Sequence, residues 1–238
     1  MDSDLTQSEW FYKVWAWTET HRKQLLWGVG ALVVLLLLGG YALYRGHQNA
    51  IEAGNALSRA IAQSAAGQAG PEAFVGVATE YPGTSAAGQA LLLAGARYFA
   101  AGNYTEALNQ FEKFLSEHGH SDLAGQAVYG RAAVLEATGK RDEALKAYRE
   151  IVERRPNENV APLARLAVGR LYEDQGRYEE ALQQYQQLLQ QGFGAIASEA
   201  VARRNELIRA HPELVQPPPM TVTSETNAAP VTEPEPPE

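Results

Sequence analysis

The sequence predicts an all-α fold: one N-terminal transmembrane helix, then an α-solenoid of about four helical hairpins closed by a capping helix. Three observations carry that prediction. Residues 24–44 are uncharged and mostly apolar; residues 88–192 repeat small residues, glycines and aromatics every 37 positions; and the chain holds no cysteine. The last excludes a disulfide scaffold, a thiol nucleophile, a Cys-ligated zinc or iron–sulfur site and a cysteine-borne lipid anchor. With 238 residues, 45% hydrophobic and 20% charged, there is chain enough for a sizeable core. The net charge of −8 divides into −1 over residues 1–24, −3 over 45–213 and −4 over 214–238. No segment carries the basic footprint that a phosphate backbone demands, so nucleic acid is not the expected partner.

The first element is the apolar run. Gln24 to Tyr44 count 21 residues, and at about 1.5 Å each they make a helix of about 31 Å against a hydrocarbon core of about 30 Å. Its centre reads Leu32-Val33-Val34-Leu35-Leu36-Leu37-Leu38, with Trp27 near one end and Tyr41 and Tyr44 near the other, where aromatic belts form. Lys13, Arg22 and Lys23 precede the run, whereas only Arg45 and Arg59 follow closely, so residues 1–23 are expected in the cytoplasm and the rest outside. Gly40-Tyr41-Ala42 offers a passable cleavage site for a secretory leader. A retained anchor is preferred, because the run exceeds the ~7–15 residues of a leader's apolar core. Ahead of it, Trp10, Phe11, Val14, Trp15 and Trp17 recur at helical spacing and predict an interfacial helix on the inner leaflet.

After a degenerate hairpin at 47–87, three units follow at 88–121, 125–158 and 162–192. In the degenerate unit a first helix from about Gln48 to Ser64 should turn at Gly67 to Pro71 into a short second helix stopped by Pro82. In the regular units the first helices carry apolar residues at helical spacing, for example Leu91, Ala94 and Tyr98, and stop at Gly102, Gly139 and Gly176, each suited to a left-handed cap. The second helices open with acids (Glu106; Asp142 and Glu143; Glu179 and Glu180) that the positive end of the helix dipole favours. Gly95, Ala132 and Gly169 on first helices, and Ala107, Ala144 and Ala181 on second helices, leave room for two axes to cross closely. Phe111, Tyr148 and Tyr185 stand one turn beyond those alanines, aimed into the gap between successive units.

This pattern resembles the tetratricopeptide repeat family, whose unit is about 34 residues of helix–turn–helix. The family's small residue matches Gly95, Ala132 and Gly169, its turn glycine matches Gly102, Gly139 and Gly176, and its alanine-then-aromatic pair matches the positions above. Departures are equally visible. The terminal proline survives only as Pro156, and the large aromatic opening the first helix is replaced by Leu91, Val128 and Arg165.

Two elements close the chain. Residues 193–211 read as the capping helix such arrays require, with Ile196, Val201, Leu207 and Ile208 inward and Arg203, Arg204 and Arg209 outward. Residues 212–238 hold eight of the twelve prolines and hardly any large apolar side chain, which predicts a disordered, solvated tail.

No constellation for chemistry emerges: no catalytic residue, no cofactor site, no small-molecule substrate and no metal are expected. Gly28-x-Gly30 lies inside the apolar run, and His118-x-His120 with Asp122 falls in a loop without the one-face spacing of a zinc helix. What remains is a surface. In stacked hairpins the first helices line a concave face, and eight residues on them are candidate partner contacts: Gln89, Leu92, Phe99, Gln126, Tyr129, Leu166, Arg170 and Glu173. Phe99, Tyr129 and Leu166 would anchor a polypeptide segment, while Arg170 and Glu173 would orient it. The alternative left open is that the capping helix or a second copy covers part of this face. The expected function is therefore non-enzymatic, a scaffold for other proteins. The layout also resembles the ancillary subunit of the SecYEG translocon, a resemblance that implies a bacterial inner-membrane location, a periplasmic repeat domain, and translocon subunits and periplasmic chaperones as partners. A second resemblance, to the repeat domain of the division coordinator of the Tol–Pal system, implies an envelope-organising role instead.

Overall fold

The computed structural model describes Trp15, Trp17 and residues 21–191 and 194–215. Trp10, Phe11 and Val14 of the expected interfacial helix, Gly192 and residues 216–238 of the tail lie outside the described residues. All regular structure among them is helical, as the sequence predicts: α1 (Arg22–Ala65), α2 (Glu72–Glu80), α3 (Ser85–Ala100), α4 (Tyr104–His118), α5 (Ala124–Ala137), α6 (Arg141–Arg154), α7 (Ala161–Asp174), α8 (Tyr178–Gln191) and α9 (Gly194–Ala210), then a short 3-10 turn at Pro212–Leu214. The chain forms two compact units, residues 1–144 and 145–238.

In the first unit the expected break near residue 45 is absent. Apolar run and first repeat helix are one α-helix of 44 residues, about 66 Å long. Arg45-Gly46 ends the apolar composition but not the hydrogen-bond ladder, since a helical glycine costs only ~1 kcal/mol and no proline intervenes. The helix stops where a residue leaves the right-handed region, at Gly67 with φ +70°. Its upper part presents Ala53, Leu57 and Ala60 on one face, joined in one core with Phe74, Val77 and Ala78 of α2 and Ala87, Leu91 and Ala94 of α3. α3 is started by Thr84, whose Oγ1 accepts from the Ala87 N–H at 3.1 Å. It is tied to α2 by Tyr98, whose hydroxyl donates to Glu72 Oε1 at 3.4 Å.

The repeat residues act as their spacing predicts. Gly102 takes φ +78°, Gly139 +81° and Gly176 +72°, and the following N–H groups of Asn103, Lys140 and Arg177 reach back to Tyr98, Leu135 and Tyr172 carbonyls at 2.9, 2.8 and 2.8 Å. These are left-handed glycine caps closing each first helix. Phe111 of α4 is buried against bare backbone: a Cβ on Gly95 would stand 2.8 Å from its ring, and one on Gly130 of α5 would also overlap it. The ring therefore wedges between its own hairpin and the next helix. Gly130 has no small counterpart at every repeat position, its period-mates being Leu93 and Ala167, so the 37-residue comparison does not single it out.

In the second unit the same device recurs in α7 and α8. Tyr185 is buried, and a Cβ on Gly169 would stand 2.5 Å from its ring. Arg165, at the position where an aromatic was missing, bonds through its guanidinium to the Oε1 atoms of Gln184 and Gln187, and partial burial lowers its pKa. α9 packs against both α8 and α7, burying Ala200 and Leu207. Two inward and outward assignments on α9 are corrected: Val201 is 37% exposed, and Arg203 leans onto α7, where its Nη1 lies 3.8 Å from Glu173 Oε2. The helix faces α8 and α7 through its small and leucine positions, which leaves the β-branched Val201 at the margin.

Candidate functional site

The first unit offers one candidate face, built by α3 and α5. Gln89 and Gln126 are exposed on it, while Leu92, Phe99 and Tyr129 are half-buried. The backs of the same helices are fixed in the core by Ala87, Ala90, Leu91 and Ala94 on α3 and by Ala124, Ala127 and Val134 on α5, so the outward set is held by a rigid layer. The Phe99 ring is half-buried against the core and leans on Tyr104 at 5.5 Å between centroids. Aromatic, leucine and glutamine side chains on a helical surface supply apolar anchorage plus amide hydrogen bonds, the chemistry of polypeptide recognition.

The candidate residues of the second unit stand differently. Leu166 is 6% exposed, so it is a core residue rather than an anchor for a partner; it sits on the helix against which α9 packs. Arg170 and Glu173 are half-buried, and Glu173 is already engaged by Arg203 of α9. Burial pushes the Tyr185 phenol up, and the facing Glu173 carboxylate pushes it further. Periodicity identifies which side of α9 is apolar but not which helix it will lie on, which is why Arg203 escapes a sequence reading. A surface cleft of about 450 Å³ lies beside the end of α6, lined by Glu150, Arg154, Arg155, Pro156, Asn157 and Glu158. Its charges pair among themselves, Arg155 with Glu158 at 2.7 Å and Arg154 with Glu150 at 3.8 Å, so they offer a ligand little.

Chemistry-bearing side chains are occupied by packing. His118 lies over Phe114 at 5.5 Å between centroids and against Gly88, and no cluster of three His, Asp or Glu side chains fit for a metal occurs among the described residues. Among the described residues, exposed large apolar side chains concentrate on α1: Leu32 to Leu38 are each between 47% and 68% exposed, and Trp27 and Leu43 are 81% and 78% exposed. By length and composition α1 is the one helix among the described residues suited to crossing a membrane.

Comparison with known proteins agrees with this geometry. The tetratricopeptide repeat family model matches residues 92–159 and 138–196, and this stretch carries tetratricopeptide repeats. No curated protein matches the chain. Among solved structures, a tetratricopeptide repeat protein from Parabacteroides merdae ATCC 43184 is similar with 19% identity and a TM-score of 0.55, over 70% of this chain and 63% of that one. The chain thus spans less than two thirds of that protein's length. MamA from Desulfovibrio magneticus RS-1 is 20% identical with a TM-score of 0.45, over 68% of this chain and 97% of that one. The first likeness shows the fold, an all-helical array of repeats.

Proposed function

We propose that this chain, with tetratricopeptide repeats over residues 92–196, is a membrane-tethered, non-enzymatic scaffold of the bacterial envelope that binds other proteins and assists Sec-dependent translocation or hand-over to periplasmic chaperones. The observation carrying the scaffold reading is the pairing of a rigid repeat core with a side-chain set fit for polypeptide contact and for no reaction. Support for tethering is α1, whose apolar length from Gln24 to Tyr44 equals about one hydrocarbon thickness and whose side chains from Leu32 to Leu38 are all exposed. A tethered domain meets membrane-proximal partners at raised effective concentration. Within the first unit the binding face is Gln89, Leu92, Phe99, Gln126 and Tyr129; in the second, Arg170 and Glu173 contribute only as far as α9 leaves them free.

The test is purification of the full chain in detergent after cross-linking in cells. Translocon subunits and periplasmic folding factors should co-purify, and Phe99→Ala with Tyr129→Ala should weaken their binding by about thirtyfold or more, since anchor residues carry ~2 kcal/mol or more, with helix content unchanged. Recovery of division or peptidoglycan proteins alone would overturn the translocation reading. Undiminished yield from the double variant would remove this face from the account.

A further inference from the structure

Within the first unit the apolar rod and the innermost layer of the array are the same helix. Between Tyr44, the last residue of the apolar run, and Ala53, the first buried one among the described residues, stand only the two turns from Arg45 to Glu52, exposed except for the half-buried Gln48. No proline falls there, and no positive φ occurs among the described residues before Gly67. On either side of those turns the helix is braced by its own side chains: Arg45 Nη1 donates to Tyr41 Oη at 3.4 Å and Ser58 Oγ to the Gly54 carbonyl at 2.9 Å. An unbroken helix transmits angle as well as length, each residue setting the next by about 100° and 1.5 Å. At the upper end Ala53, Leu57 and Ala60 share one packed core with α2 and α3, so the azimuth of the helix is also the azimuth of the hairpins.

We infer that the span and the hairpins of residues 53–137 turn and tilt as one rigid body, so the bilayer sets the direction in which the face of α3 and α5 looks. This rests on the reading of residues 24–44 as a membrane span. A flexible leash would show that face at every angle and height. A rod shows it at one height and one angle to the span, which suits a partner held in the same membrane.

The absence of cysteine permits a direct test. Spin labels on Leu43→Cys and Gln89→Cys, both exposed positions, report the distance between rod and array in the full chain reconstituted in lipid nanodiscs. The parent should give one narrow distance. One alanine inserted between His47 and Gln48 should move that distance by roughly 5 Å or more, because the array rotates by about 100° about the rod. Seven inserted alanines, two turns less about 20°, should restore the azimuth and add about 10 Å of rise. A Gly-Gly-Ser insertion at the same place should broaden the distribution. A parent distribution as broad as that of the Gly-Gly-Ser variant, or one unmoved by a single alanine, would overturn rigid coupling. Flotation of the same samples with lipid vesicles separates the two ideas: a chain that does not float defeats the span reading and the inference with it, whereas a floating chain with a broad distance defeats the coupling alone.

Discussion

The lower and upper halves of α1 are one helix with two different surfaces. Below residue 45 Trp27, the run from Leu32 to Leu38, Tyr41, Leu43 and Tyr44 are all exposed; above residue 52 burial on this helix is confined to one face, at Ala53, Leu57 and Ala60. The backbone is the same in both, so the difference lies in how apolar residues are distributed around the axis. An all-round apolar surface needs an apolar medium, while a one-sided stripe needs a protein neighbour. The small size of Ala53 and Ala60 then sets how closely α2 and α3 approach.

Substitutions break this contrast in a graded way. Leu57→Asp should have the largest effect, a loss of about 4 kcal/mol or more of array stability, because it leaves a buried carboxylate unpaired where a leucine filled the core; urea melts of the full chain in detergent measure it. Leu36→Asp on the exposed half should leave those melts unchanged while weakening membrane insertion by ~3–4 kcal/mol, read by flotation. Glycine substitutions sharpen the same point at smaller scale. Gly95→Leu meets the Phe111 ring and should cost ~1–3 kcal/mol, whereas Gly46→Leu enters open space and should stabilise the helix by up to ~1 kcal/mol.

The smallest effect concerns a proton. Tyr185 has a folded-state pKa above that of the unfolded chain, first through burial and then through Glu173. Its contribution is therefore complete below the unfolded value of 10.0 and is lost as pH rises from there toward the folded value. Urea midpoints should fall more steeply between pH 9 and about 11 in the parent than in Tyr185→Phe, and equal slopes would show that the phenol ionises as freely folded as unfolded.

Much of this was legible in residue spacing, and the failures share a cause. Gly102, Gly139 and Gly176 are local devices, each needing only its own turn, so period alone located all three left-handed caps. The need for small residues at Gly95 and Gly169 followed from the same period, but not that the rings of Phe111 and Tyr185 in the same hairpins fill the space they leave. Gly130 was missed because it answers a ring from the preceding hairpin rather than its own repeat role. Arg203 was misjudged because the lie of α9 across α7 is a tertiary choice that no periodicity encodes, and Leu166 lies in the core rather than on the surface. The continuity of α1 was hidden by a change of composition at Arg45-Gly46 that is not a helix end.

The central claim is that α1 is covered by lipid in its lower half and by its own hairpins in its upper half. A single-cysteine scan from Gln24 to Ala65, reading reaction with a water-soluble maleimide in reconstituted bilayers, tests it most directly. The account predicts an unbroken protected block over 30–44, reactive positions over 45–52, and then protection only at residues 53, 57 and 60 and their immediate face. Reaction throughout 30–44, or uniform reaction above 52, would contradict it.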